Sequence, residues 1–117
     1  MKNLIISCSL LFIILASCEF KHEEELFGND CDTLNLSYNA IEPILQANCV
    51  RCHNDQVFNR DIKLNTYEHA KSAAETGLLK KAVNHENGVT PMPYMLEKLD
   101  SCSVRKITIW IETNTPK

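Results

Sequence analysis

Residues 49–53 read Cys-Val-Arg-Cys-His, which places two thiols three positions apart and an imidazole directly after the second thiol. From the residue frequencies of this chain, such a pentapeptide arises by chance in roughly 0.01 of sequences of the same length. Because chance is a poor explanation, the stretch indicates a site that uses both thiols and the imidazole together.

The pattern C-x-x-C-H is the attachment signature of c-type haem. Two thiols at this spacing in a helical turn reach the vinyl groups on neighbouring pyrroles, and each forms a thioether. The imidazole of the next residue binds the iron, and its other ring nitrogen normally donates to a carbonyl. The stretch thus predicts one covalent haem c, bound through Cys49 and Cys52, with His53 as the proximal iron ligand.

Two other kinds of site use paired cysteines. A thioredoxin-like redox pair needs a βαβ pattern around it, and the sequence shows none. A structural zinc site needs two further ligands at suitable spacing. Cys31, Cys102 and His85 are available, but none of them belongs to a second pair. The haem interpretation is therefore the strongest of the three.

The residues before the motif predict a helix that ends at it. Ile41, Ile44 and Leu45 fall at positions i, i+3 and i+4, which form one apolar helical face. Pro43 is tolerated if it lies in the first turn, where its missing N–H has no helical partner. The motif is accordingly expected at the end of a first helix.

About forty residues after the motif, residues 90–93 read Thr-Pro-Met-Pro. A thioether suits haem iron and raises its reduction potential, and flanking prolines stiffen the loop that presents it. Met92 is therefore the predicted distal iron ligand. Met95, His85 and His69 are the alternatives: Met95 is expected to pack, His85 to cap a helix or contact a haem propionate, and His69 to lie on an exposed helix face.

The first part of the chain predicts export. Residues 4–15 are mostly apolar but too few to span a bilayer as a helix. Leu-Ala-Ser before Cys18 resembles the lipobox of bacterial lipoproteins, in which the cysteine is acylated and the preceding segment is removed. That resemblance implies a signal peptide over 1–17, which discards Cys8, and the alternative is an ordinary secretory signal in which Cys18 is incidental. The acidic run Glu23-Glu24-Glu25 and the lack of hydrophobic periodicity predict a solvated acidic tether over 18–35. The lipobox resemblance also implies a lipid anchor on the periplasmic or surface side of a bacterial membrane.

The middle of the chain predicts two short helices. Thr66 is a candidate N-cap for a helix from Tyr67 to Glu75, which Gly77 ends. Residues 78–83 form a second candidate.

A final helix is expected over residues 101–112, with Asp100 as its cap. Its apolar stripe comprises Val104, Ile107, Trp110 and Ile111. Trp110 is expected in the core. No convincing pair of strands occurs, so the sequence predicts an all-α fold of about four to five short helices.

The charge balance argues against nucleic acid as a partner. The chain of 117 residues has 12 basic and 15 acidic residues and a formal net charge of -3. Binding of nucleic acid needs clustered lysine and arginine, which this chain lacks.

Several motifs together resemble one family. They are Tyr-x-x-x-Ile-x-Pro-Ile-Leu before the haem motif, Leu-x-Thr-Tyr before a helix, Met-Pro in a loop, and a final Trp-Ile. Residues 36–113 thereby resemble the small Met-Pro-type cytochrome c domains of bacterial secreted proteins. The resemblance implies a cytochrome c-like domain over 36–117 around one haem. The sequence departs from the family at Tyr94 and Met95, where glycines or small residues usually follow Met-Pro.

The resemblance also bears on two isolated cysteines. Cys31 precedes the first helix and Cys102 opens the last, and these helices pack together in that fold. A disulfide between them is therefore expected, and two buried thiols are the alternative in an exported protein.

The implied function is that of an electron carrier rather than an enzyme. With His53 and Met92 both on the iron, no position is open for a substrate, and the partners are unidentified redox proteins. The alternatives are a peroxidase-like or gas-binding haem protein with a displaceable Met92, and a haem-free structural lipoprotein.

Overall fold

The computed structural model describes residues 31–57 and 59–117. The predictions for the signal peptide, for Cys18 and for the tether up to residue 30 therefore lie outside the described residues. The described chain forms four α-helices and no strand, which confirms the all-α prediction. The helices are α1 (Tyr38–Asn48), α2 (Tyr67–Glu75), α3 (Leu78–Asn84) and α4 (Ser101–Glu112), and a short 3₁₀ turn spans Asn59–Asp61. Within the described ranges, no helix is long and apolar enough to cross a membrane.

Helix α1 begins earlier than the position of its proline suggests. Its first residue is Tyr38, whose amide donates to the carbonyl of Pro116 at 2.9 Å. Pro43 is therefore in the second turn rather than the first, and the prediction for Pro43 is wrong. Pro43 cannot donate to the carbonyl of Asn39, but Asn39 is exposed and water can satisfy that group.

Helices α2 and α3 start as their capping residues dictate. The Thr66 hydroxyl accepts a hydrogen bond from the amide of His69 at 3.2 Å, which satisfies one of the free amides at the start of α2. Gly77 separates the two helices with a φ of 73°, in the left-handed region that favours glycine. Its position fixes the turn between α2 and α3.

Helix α4 has the predicted bounds and cap. The Asp100 carboxylate accepts a hydrogen bond from the amide of Ser103 at 2.9 Å, and this bond holds the pKa of that carboxyl below its ordinary value. The apolar stripe then buries Val104, Ile107 and Trp110. Helix α4 is thus anchored at its start and apolar along one face.

The core lies where α4 packs against α1 and α3, while α2 packs against α3. Ile41, Leu45, Ile107 and Trp110 are fully buried in it. The last residues of the chain close the core, because the Trp110 Nε1–H donates to the carbonyl of Pro116 at 2.9 Å. The same carbonyl accepts the first amide of α1, so the tail joins the first helix to the last.

Cys31 and Cys102 form a disulfide with a Cα–Cα distance of 5.6 Å. It joins the segment before α1 to the first turn of α4 across a sequence separation of 71. The pairing expected from the resemblance is therefore present.

Among the described residues, one buried side-chain oxygen lacks a hydrogen-bond partner. The Tyr38 hydroxyl is buried and makes no hydrogen bond with any described residue. Burial, with a smaller contribution from Glu42, raises the pKa of this phenol. Because an unsatisfied buried hydroxyl destabilises the native state, we expect Tyr38→Phe to raise the free energy of unfolding by about 1 kcal/mol in denaturant titrations.

Tyr67 provides the matched control for that substitution. Its hydroxyl donates to the carbonyl of Thr115 at 3.0 Å, so Tyr67→Phe is expected to lower the free energy of unfolding by about 1 kcal/mol. Equal decreases in the free energy of unfolding for Tyr38→Phe and Tyr67→Phe would show that the Tyr38 hydroxyl is hydrogen-bonded.

Candidate functional site

The motif forms a tight turn at the end of α1. The carbonyl of Leu45 accepts the amides of Cys49 and Val50 at 2.8 and 3.0 Å, which ends the helix. The carbonyl of Cys49 then accepts the amides of Cys52 and His53, both at 3.0 Å. The backbone therefore holds both cysteines and the histidine on one turn, as the spacing predicts.

The His53 ring is fixed in one orientation. It is buried, with 8% of its surface exposed, and its Nδ1 lies 3.0 Å from the carbonyl of Ile62. Because a carbonyl only accepts, Nδ1 carries the proton in this bond. The amide of Leu64 also donates to the His53 carbonyl at 2.8 Å, so the main chain is held from the same segment.

The other ring nitrogen of His53 is free to act as a ligand. Its Nε2 makes no hydrogen bond with any residue that the structure describes. With the proton on Nδ1, the neutral ring has its lone pair on Nε2, and this is the form in which histidine binds metals. The ring therefore has the tautomer that coordination of a metal by Nε2 would need.

The two motif cysteines carry free thiols. Burial, with an addition from Cys52, raises the pKa of the Cys49 thiol to about 11. Thiols that exchange disulfides need a lowered pKa, because the thiolate is the nucleophile. The Cys49 thiol therefore lacks the lowered pKa of a nucleophilic cysteine in a redox-active dithiol.

A structural zinc site would lack two of its candidate ligands. Cys31 and Cys102, which it would recruit, are bonded to each other. Among the described residues, no group of three or more histidine, cysteine, aspartate or glutamate side chains is arranged to hold a metal ion. Covalent haem needs only the two thiols and one imidazole on this turn.

Asn54 organises the loop that follows the motif. Its side-chain amide donates to the carbonyl of Val50 at 2.7 Å. Its oxygen accepts the amides of Gln56 and Val57 at 2.8 and 2.9 Å. The sequence analysis missed Asn54, although asparagine is a residue type that closes such turns with its own side chain.

Met92 is held through its backbone to the end of α3. Its amide donates to the carbonyl of Ala82 at 3.0 Å. Its carbonyl accepts a hydrogen bond from Nε2 of His85, also at 3.0 Å. His85 caps α3, and its ring contacts the Met92 loop. Among the residues described, no hydrogen bond links this loop to the motif turn.

Two of the alternative ligands differ from expectation. Met95 was expected to pack, but 86% of its surface is exposed, because the chain forms a loop there with a φ of 57° and no helix begins until Ser101. His69 was expected on an exposed face, and it is half-buried, with its Nδ1 3.0 Å from the side-chain oxygen of Asn65. The prediction for Met95 is therefore wrong, and His69 is less exposed than predicted.

A shallow groove of about 480 Å³ opens beside α3 and α4. Its walls include Asn84, Lys98 and Arg105. None of the predicted ligand residues lines it, so it is not part of the candidate site.

Comparisons of the chain with protein-family models, with curated proteins and with solved structures find no match. The function proposed below therefore rests on the residues of the chain itself.

Proposed function

We propose that this chain is a membrane-tethered c-type cytochrome that carries single electrons through one haem, bound covalently by Cys49 and Cys52 and ligated by His53 and Met92. One observation carries the proposal. A buried imidazole, fixed by the carbonyl of Ile62, keeps Nε2 free on the same turn as two free thiols. A haem-free structural protein would have no use for this combination.

The residues of the turn suit covalent attachment. Each thiol would add its S–H across one vinyl group, so that a carbon–sulfur bond forms and the hydrogen goes to the neighbouring carbon. Because Cys31 and Cys102 are joined to each other, they do not compete with the motif thiols.

The two predicted iron ligands are held by different elements. His53 belongs to the turn after α1, and the hydrogen bond to Ile62 prevents its ring from rotating. Met92 belongs to the loop after α3, where Pro91 and Pro93 restrict the backbone. Haem supplies a one-electron iron couple, whose potential a methionine ligand raises. With His53 and Met92 both as iron ligands, no position would be open to a substrate, which favours electron transfer over catalysis at the iron.

The tethering part of the proposal rests on the sequence alone. The lipobox-like residues before Cys18 support acylation of that cysteine, and they lie outside the described residues.

Expression of the full chain in a bacterium that exports and matures c-type cytochromes tests the proposal. We expect intact-mass measurement of the denatured, purified protein to show the added mass of one haem and of lipid on Cys18. The haem should be absent from the Cys49→Ala/Cys52→Ala double variant. The Cys31→Ser/Cys102→Ser variant is the matched control, because it loses two cysteines but should keep the haem.

Reversible one-electron reduction of the purified protein completes the test. A chain that matures without covalent haem would contradict the cofactor. A haem protein that binds carbon monoxide readily without denaturant would instead favour an enzyme or a gas-binding protein.

A further inference from the structure

We propose that His85 is a positioning residue, which holds Met92 in place for the iron by fastening its main chain to the end of α3. This inference rests on the proposed function and extends it to a residue with no direct role at the iron.

His85 occupies a position that usually requires glycine. It follows α3 with a φ of 58° and a ψ of 41°, in the left-handed region. Its amide donates to the carbonyl of Ala82, and the amide of Glu86 donates to the carbonyl of Lys81. These two bonds define the Schellman motif, whose left-handed residue is most often glycine. A histidine there incurs backbone strain, which suggests that its side chain is needed.

The side chain is used by the Met92 loop. The Nε2–H of His85 donates to the carbonyl of Met92 at 3.0 Å, and the ring is half-buried. The carbonyl of Ala82 accepts both the amide of His85 and the amide of Met92, at 3.2 and 3.0 Å. Ala82, His85 and Met92 therefore form a closed set of hydrogen bonds across the seven positions that separate the histidine from the methionine.

Hydrogen bonds from other segments hold the end of α3, to which the Met92 loop is bound. Lys98 donates from its ammonium group to the carbonyl of Asn84 at 3.0 Å, and the side chain of Asn84 donates to the Thr108 hydroxyl of α4 at 3.1 Å. The loop is thus bound to a helix end that two other segments support. The amide and the carbonyl of Met92 are both hydrogen-bonded at this helix end, which restrains its main chain.

Substitutions at His85 can separate its backbone strain from its side-chain hydrogen bond to Met92. His85→Gly relieves the left-handed strain but removes the hydrogen bond to Met92. Glutamine places an amide donor near the position of Nε2, so His85→Gln should restore the bond. Asn114→Gly is the matched control, because Asn114 also has a positive φ, of 68°, after α4, and among the described residues it makes no hydrogen bond to the Met92 loop.

The experiment uses the full-length, haem-loaded protein in these three variants and the wild type. We expect His85→Gly to keep its covalent haem and its resistance to denaturant, but to lose intensity in the sulfur-to-iron charge-transfer band. Displacement of the thioether by added imidazole should become about five- to tenfold easier, as expected for one lost hydrogen bond. His85→Gln should restore most of both properties, and Asn114→Gly should match the wild type.

A second readout does not depend on the absorption spectrum. In the haem-loaded protein, hydrogen exchange at the Met92 amide should accelerate in His85→Gly and not in Asn114→Gly. An unchanged band and an unchanged exchange rate in His85→Gly would overturn the inference, as would a loss that glutamine does not restore. A wild type without haem would contradict the proposed function, and a wild type with haem but no sulfur band would contradict both Met92 ligation and this role of His85.

Discussion

Met92→Ala is expected to keep its covalent haem but to lose the sulfur-to-iron charge-transfer band and to lower the reduction potential. The thioether favours ferrous over ferric iron, and water or hydroxide in its place removes that preference. Since axial ligands shift haem potentials over a wide range, the decrease should be on the order of a few hundred millivolts. Absorption spectra of the oxidised protein and a redox titration measure the two effects.

Met95→Ala is the matched control for Met92→Ala. The two methionines are three residues apart, but Met95 is 86% exposed and only Met92 is tied to α3 through both backbone groups. We expect Met95→Ala to change neither the band nor the potential. The opposite pattern would make Met95 the ligand, and retention of both properties in both variants would exclude a methionine ligand altogether.

Carbon monoxide binding by the wild type and by Met92→Ala also distinguishes an electron carrier from a haem enzyme or gas-binding protein. In the wild type, a ligand on each side of the iron should prevent carbon monoxide from binding under native conditions. Met92→Ala should bind it readily, because one axial position is then open. Equal binding by both proteins would mean that Met92 does not occupy the iron, and the peroxidase-like or gas-binding alternative would gain support.

The helices could be predicted because their signals are local. Helices α2 and α4 have the bounds expected from Thr66 and Asp100 as caps, and α3 extends one residue beyond the prediction, to Asn84. A capping side chain and the amide that it binds lie within one helical turn, so a short window of sequence contains both. The start of α1 depends instead on the carbonyl of Pro116, which no local pattern reveals.

The candidate site could be predicted in part for a related reason. The cysteines and His53 are distinctive residue types at a distinctive spacing, and so the sequence alone points to them. Their supports are backbone carbonyls, such as the one that Ile62 presents to the His53 ring. Every residue has a carbonyl, so the sequence does not show which one will be used. The bond from His85 to Met92 was missed for the same reason.

The largest loss of stability is expected from Cys31→Ser/Cys102→Ser. The disulfide joins residues 71 positions apart, and in the chain-entropy model a loop of that length is worth about 4 kcal/mol. Small domains are stable by only about 5–15 kcal/mol, so the double variant loses a large share of the total. Its melting temperature should fall by roughly 15–30 °C, since each kcal/mol corresponds to about 4–8 °C in a domain of this size.

The fold explains why the loss of the disulfide should lower stability rather than disturb the proposed haem site. The disulfide constrains the segment before α1 and the first turn of α4, whereas the motif turn is held by the carbonyls of Leu45 and Cys49. The double variant should therefore keep its spectrum at low temperature. Denaturant titrations of the variant and of the wild type, each with and without reductant, separate the effect of the lost disulfide from the effect of the serine substitutions. Reductant should destabilise the wild type alone. A decrease in the free energy of unfolding below about 1 kcal/mol would mean that residual contacts between the α1 and α4 segments already restrain the unfolded chain.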